Sequence, residues 1–363
     1  MDFSYAHFYV DDATAWQTWF EGLNFTSVRA EGVPSLRLPH TQTLAVQAGG
    51  GRFLLSSPLT SASPVAHYLQ HHPPGVADLA FRVDNLDRSL LKATAQGAAQ
   101  LSPIASTQCD DLLGLVSEYY GPCRWACVSG WGGLRHTLIE ARPLELPIVR
   151  AVNGISGIDH AVLNVRKGEM LAATAWYEAA FGLCRHQSFA IHTQRSALCS
   201  QVLKHPQGAL QLPINEPTSP TSQIQEFLDV NGGAGIQHIA LQTTDIVATV
   251  HQLRQQGVAF ISVPKDYYTT LPRRAGFCLS DRQQAAIAQA QILVDWQAEK
   301  PHTLLLQTFT QPIFGEPTFF FELIQRQTYD LSGVPQYAKG FGEGNFQALF
   351  EAMEREQLKR GRL

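Results

Sequence analysis

The sequence predicts an α+β fold in which four βαβββ modules pair into two tandem open β-barrels. Two observations carry that prediction. A strand-like run followed by a helix-like run recurs four times, at 3–25, 75–97, 157–182 and 235–257, which marks units of roughly 80 residues. Several short strand-like runs then follow each helix, such as SLRLP and TLAVQAG in the first unit or RSALCSQVLKH and GALQLPI in the third. Two βαβββ units can join their sheets around a cleft, so four units make two barrels. With 363 residues, 45% of them hydrophobic, the chain can bury more than one core.

The second unit displays the pattern well. Leu79 and Phe81 alternate with Ala80 and Arg82, as on a half-buried strand, and then Leu86, Leu90 and Leu91 recur at helical spacing. Several of the helical runs end at glycine, the usual helix stop. Between the halves, RPLELPIVRAVNGIS (142–156) follows the strand HTLIEA with two prolines and a glycine, a linker composition. That places an N-terminal barrel at 1–150 and a C-terminal barrel at 151–363. The last segment, 340–361, reads as a glycine-rich turn and an amphipathic helix with Phe346, Leu349, Phe350 and Met353 on one face, capping the second barrel.

Composition excludes several functions. A net charge of −4 with 16% charged residues leaves no basic excess to neutralise phosphates, so neither nucleic acid nor an anionic membrane surface is an expected partner. No apolar run approaches the roughly 20 residues of a membrane span. The opening MDFSYAHFYVDD has no positive stretch followed by an apolar one, which predicts no signal peptide. Six scattered cysteines do not form a disulfide framework and suit a reducing, cytoplasmic setting. Cys123 and Cys127 form a C-x3-C pair with metal-binding capacity, but no second pair accompanies it. His67 and His71 share a helical face, yet no third ligand follows, so a solvated helix end is expected there.

The strongest chemical signal lies downstream. GIDHAVLNV (157–165) and GIQHIALQT (235–243) each carry a histidine at the same place, His160 and His238, while TFFFELIQR (318–326) carries Glu322 inside an apolar run. A buried carboxylate is costly without a cation, and two imidazoles plus one carboxylate make a facial Fe(II) site with open positions. Pseudo-symmetry is expected to bring the two histidines together from facing sheets of one barrel. The first half offers Tyr5, Ala6 and His7, or Ala77 and Asp78, with Glu140 at the place matching Glu322. That set lacks a matching histidine pair, so the N-terminal barrel is read as structural, without metal.

Through LPINEP (212–217), SQIQEFL (222–228), GAGIQHIAL (233–241), DYYTTLPRRAG (266–276), LSDRQQ and ILVD within 279–295, LLLQTFTQP (304–312), FFFELIQR (319–326) and GFGEGNFQALFEAME (340–354), the second half resembles the 4-hydroxyphenylpyruvate dioxygenase family of the vicinal oxygen chelate superfamily. In the first half the resemblance is confined to FYV, GVADLAFRVDN and the module layout. The resemblance implies Fe(II) held by His160, His238 and Glu322. It also implies catalytic roles for Ser200, Asn215, Gln223, Gln237 and Gln307, and substrate contacts from Pro213, Phe309, Phe320, Asn345, Phe346, Leu349 and Phe350. The implied reaction is oxidative decarboxylation of 4-hydroxyphenylpyruvate by O2, with ring hydroxylation and side-chain migration to homogentisate and CO2. A homodimer or larger homo-oligomer is implied as well.

Two residue-level points bear on that carry-over. Gln237 should face away from the His238 side of a regular strand, so its role needs a bulge or a twist. Phe309 and Phe346 can hold an aromatic ring by stacking, and Ser200, Asn215 and the glutamines can anchor polar ends. Two other readings stay open: hydroxymandelate synthase, where an apolar residue replaces the asparagine of PINEP, and a non-catalytic ligand-binding protein of the same superfamily.

Overall fold

The structure, a computed structural model, describes residues 1–28, 37–38, 40–106, 123–141, 154–193, 195–331 and 334–361. Each repeated phrase forms a strand and a helix: Asp2–Tyr9 with Ala13–Gly22, Gly75–Val83 with Leu86–Ala95, Ile155–Asn164 with Met170–Phe181, and Gly235–Thr243 with Ile246–Gln255. Three of these helices start on a side-chain oxygen that accepts backbone N–H groups of the first turn, from Asp12, Asn85 and Asp245. The helix Met170–Phe181 ends on left-handed Gly182, which only glycine adopts at no steric cost.

Apart from a two-stranded ribbon, Thr328–Leu331 with Val334–Tyr337, the described strands form two mixed sheets of matching order. In the second, Cys184–His192, Ala197–Lys204, Gln211–Pro217, Ile155–Asn164, Gly235–Thr243, Phe320–Arg326, Lys300–Phe309 and Leu293–Gln297 lie side by side. The first strand of each module runs parallel to its own module's last strand and antiparallel to the first strand of its sister module. The N-terminal sheet repeats this, with Asp2–Tyr9 and Gly75–Val83 adjoining at its centre. Of the expected strand SLRLP only Arg37–Leu38 falls among the described residues, and the linker residues 142–153 lie outside them.

One expectation is corrected. His160 and His238 do not come from facing sheets. Their strands are antiparallel neighbours at the middle of one continuous curled sheet, because two modules join edge to edge through their first strands.

The strand Phe320–Arg326 and the residue before it work on both faces, as an interior strand must. Phe319 and Phe321 point toward the N-terminal half, where their rings lie 5.0 and 6.3 Å from Phe8. Trp16 meets Phe314 at 4.6 Å in the same seam. Phe320 and Glu322, alternating with them, take the opposite face. Among the described residues no helix is long and apolar enough to cross a membrane. The C-terminal helix spans Glu343–Lys359, starting three residues before the expected hydrophobic face. Its cap, Gly342, has φ +81, and a Cβ there would sit 1.9 Å from the Gln307 side-chain oxygen, so any other residue would be strained and would push the Gln307 amide aside.

Candidate metal centre

Register brings the three predicted ligands together. His160 pairs with Ala240 across one strand boundary, Glu322 pairs with Ala240 across the other, and His238 lies two residues along from Ala240. All three side chains therefore leave the same face of the sheet. Glu322 Oε2 lies 3.3 Å from His160 Nε2 and 3.6 Å from His238 Nε2, and the donor atoms all fall within 4.8 Å of one another. At metal–ligand bonds of about 2.1 Å, right-angle donors lie about 3 Å apart. The set fits a single divalent ion after small inward shifts. Among the described residues it is the only such group of three.

Each ligand is oriented by a neighbour. His160 donates Nδ1–H to Asp159 Oδ1 at 2.9 Å, which leaves the Nε2 lone pair facing the site. The His238 ring stacks on Phe320 with centroids 4.9 Å apart. Gln307 Nε2 donates to Glu322 Oε1 at 3.0 Å, leaving Oε2 turned to the imidazoles. Burial would raise the Glu322 pKa, but the His160 charge and hydrogen bonds from both histidines outweigh it and hold the carboxyl at about 2. Burial pushes His160 down, and Glu322 and Asp159 together carry it up to about 9. His238 is lowered, chiefly by burial. The carboxylate is thus ionised and ready, while a cation entering the site must displace the proton held by His160.

These candidate ligands occupy one wall of a cavity lined mainly by apolar and aromatic side chains with a few polar groups among them, the composition of a small-molecule site. Ser200, Pro213, Asn215, Gln223, Gln237, Gln307, Phe309, Phe320, Phe346, Leu349 and Phe350 all line it. Gln237 gets there through a bulge: between the Val162–His238 and Leu163–Ile236 pairs the register slips, and Gln237 is the extra residue. Asn345 does not line the cavity. Its amide nitrogen donates to Gln307 Oε1 at 3.0 Å and its oxygen accepts from Tyr267 at 2.8 Å, so it braces the wall from behind.

The lining also includes Val162, Phe189, Ile191, Leu198, Phe341 and Met353. Val162 was findable as the second residue after His160 on the same strand face, whereas Phe189 and Phe341 sit in runs with no distinguishing spacing. Neither Lys nor Arg is among the lining residues. Positive charge for an anionic substrate group is therefore available from this lining only at the His160–His238–Glu322 end, from an imidazolium or a bound cation.

The N-terminal half needs a second correction. The residue that matches Glu322 by register is Thr137, not Glu140: the shared offset of the Asp78–Arg135 and Phe81–Leu138 pairs puts Thr137 beside Ala80, which Tyr5 faces from the other side. Glu140 instead matches Gln325. Each accepts the first backbone N–H of its own module's helix, Leu86 at 2.8 Å and Ile246 at 2.9 Å. The His67 and His71 rings approach to 5.2 Å but gather no third donor among the described residues, and the Cys123 side chain lies outside them.

Comparison with known proteins adds three findings. Residues 157–281 match the glyoxalase/bleomycin resistance protein/dioxygenase superfamily. The chain is 35% identical to a 4-hydroxyphenylpyruvate dioxygenase of Yarrowia lipolytica, covering 99% of this chain and 93% of that protein. It is equally identical to an uncharacterized protein of Synechocystis over 98% and 97% of the two. Among solved structures, a mutant of 4-hydroxymandelate synthase from Streptomyces coelicolor superposes with a TM-score of 0.79 at 29% identity, covering 98% of each chain.

Proposed function

The chain belongs to the 4-hydroxyphenylpyruvate dioxygenase family of the vicinal oxygen chelate superfamily, and from that premise we propose that it is an Fe(II)-dependent dioxygenase converting 4-hydroxyphenylpyruvate and O2 to homogentisate and CO2. The observation that carries this reading is the convergence of His160, His238 and Glu322 on one wall of a phenyl-rich cavity whose lining, among the described residues, includes no lysine or arginine. An aromatic 2-oxo acid is the complementary shape: an apolar ring, and at one end a carboxylate and ketone that need a cation.

Iron bound by these three residues supplies the activation of dioxygen that drives decarboxylation and ring hydroxylation. The chain's own part is positioning. His160 and Glu322 are fixed by Asp159 and Gln307, so the donor atoms stay aimed at one point. Phe309, Phe320, Phe346 and Phe350 surround the ring position and keep water from the reacting carbon. Asn215 and Ser200, with Gln223 and Gln237, present polar groups to orient the phenol end. The C-terminal helix closes the cavity with its Phe346, Leu349, Phe350 and Met353 face.

A second reading has a specific observation behind it, the likeness to 4-hydroxymandelate synthase over the whole chain. On that reading the same substrate is hydroxylated at the benzylic carbon. Asn215 within LPINEP favours ring hydroxylation. The test is aerobic turnover of iron-loaded protein with 4-hydroxyphenylpyruvate. Oxygen uptake with a product co-eluting with homogentisate supports the first reading, and the isomeric 4-hydroxymandelate supports the second. Iron-loaded protein that consumes no oxygen with this substrate refutes both.

A further inference from the structure

The partners of two metal ligands also hold the root of the C-terminal helix. Arg326 grips Asp159 with both prongs of its guanidinium, Nε to Oδ2 at 2.7 Å and Nη2 to Oδ1 at 2.8 Å, and Asp159 in turn accepts from His160 Nδ1. The remaining nitrogen of Arg326 donates to the carbonyls of Gly340 at 2.8 Å and Ala338 at 3.2 Å, just ahead of the helix. Gln307 makes the parallel link: it donates to Glu322 and also to the Phe341 carbonyl at 2.9 Å. The Phe341 ring stands edge-on to His160 at 5.2 Å.

Resting on the reading of His160 as a metal ligand, we infer that Arg326 is a positioning residue that makes metal loading and seating of the C-terminal helix mutually dependent. A metal that fixes the His160 ring fixes Asp159, the Arg326 fork and the carbonyls it holds. The dependence is reciprocal by linkage, so a loosened helix root weakens metal binding. A guanidinium suits this task because its rigid, planar set of donors can satisfy a carboxylate on one edge and carbonyls on the other, which an ammonium cannot.

The test uses the full-length protein and Mn(II), followed by amide exchange of 338–361 with and without the ion. In the native chain, saturating Mn(II) slows exchange across Glu343–Lys359 by about fivefold or more. Arg326→Lys keeps a positive charge beside Asp159 but loses the fork. It is expected to bind Mn(II) about tenfold more weakly and, once saturated, to leave helix exchange unslowed. Asp159→Asn, nearly isosteric, should do the same. Unchanged exchange in the strand Asp2–Tyr9 serves as the internal check that each variant is folded. Undiminished metal-dependent protection in both variants overturns the inference, as does a native chain that binds Mn(II) without protecting the helix. A native chain that binds no Mn(II) refutes the metal reading itself and takes this inference with it.

Discussion

The two sheets share strand order and register but differ at the three positions that face each other across their central strands. In the C-terminal sheet these are His160, His238 and Glu322; in the N-terminal sheet they are Tyr5, Asp78 and Thr137. Asp78 is closed off from within: Thr137 donates its N–H at 2.9 Å and its hydroxyl at 2.5 Å to the two carboxylate oxygens. Nearby, Arg135 donates to the Tyr9 hydroxyl and the Cys127 sulfur. In the C-terminal sheet Glu322 keeps one oxygen, and both histidines keep a nitrogen, turned to a common point. A shared scaffold thus offers a group that could hold a metal only where lone pairs are left over, and we propose the N-terminal sheet as the structural member of the pair.

The largest effect that could break this comparison is at its equivalent carboxylate and hydroxyl. Glu322→Gln should lose iron and lower turnover by roughly 10³-fold, while Thr137→Val should leave iron and turnover untouched and cost about 1–3 kcal/mol of stability by removing the hydroxyl donor to Asp78 Oδ2. Metal analysis and denaturant unfolding of both variants decide it, and a fully active Glu322→Gln protein ends the asymmetry. Phe309→Ala sharpens the cavity side: KM for the aromatic substrate should rise about tenfold with iron content unchanged, reflecting lost ring packing.

The buried histidines should also respond to pH with opposite signs: His7, His136 and His238 are lowered by burial, and His160 is raised. Burial holds His7 and His136 neutral, with pKa values near about 3 and about 4. The unfolded chain takes up those protons near pH 6.5, so stability falls as pH drops below that value. His160 behaves in reverse: with its pKa raised to about 9, its contribution to the metal-free protein is complete below pH 6.5 and is lost as pH rises toward 9. Melting of the metal-free protein should peak near pH 6.5 and fall by about 5 °C on either side. Saturating metal should flatten only the alkaline limb, and an alkaline limb that ignores metal argues against His160 as a ligand. The smallest effect tests what the halves share: Glu140→Ala and Gln325→Ala should each cost about 1 kcal/mol through a lost helix-start acceptor, with iron content unchanged in both.

Much of this was legible because it is periodic. Four strand-to-helix changes of period, and a histidine repeated at one place in two of them, mark the modules and two of the three ligands. Glu322 stands out as a charge within FFFELI. What escaped was register, which depends on pairing rather than on spacing along the chain. Hence the expectation of facing sheets for His160 and His238, and the assignment of Glu140 rather than Thr137 to the place of Glu322. The Gln237 bulge was required by its proposed role but could not be located from alternation. Asn345 falls on the helix that closes the cavity, yet its amide is spent on Gln307 and Tyr267, a choice set by tertiary neighbours. Asp159 and Arg326 carry no spacing signal of their own, although one adjoins His160 and the other follows Glu322 by four residues on the same strand face.

The central claim is most directly tested by locating iron in crystals of the Fe(II)-loaded protein through anomalous scattering at the iron edge. The account predicts one peak per chain, bounded by His160 Nε2, His238 Nε2 and a carboxylate oxygen of Glu322. A peak elsewhere, against Cys127 or the His67–His71 pair, or no peak in protein shown to be folded and exposed to excess iron, would contradict it.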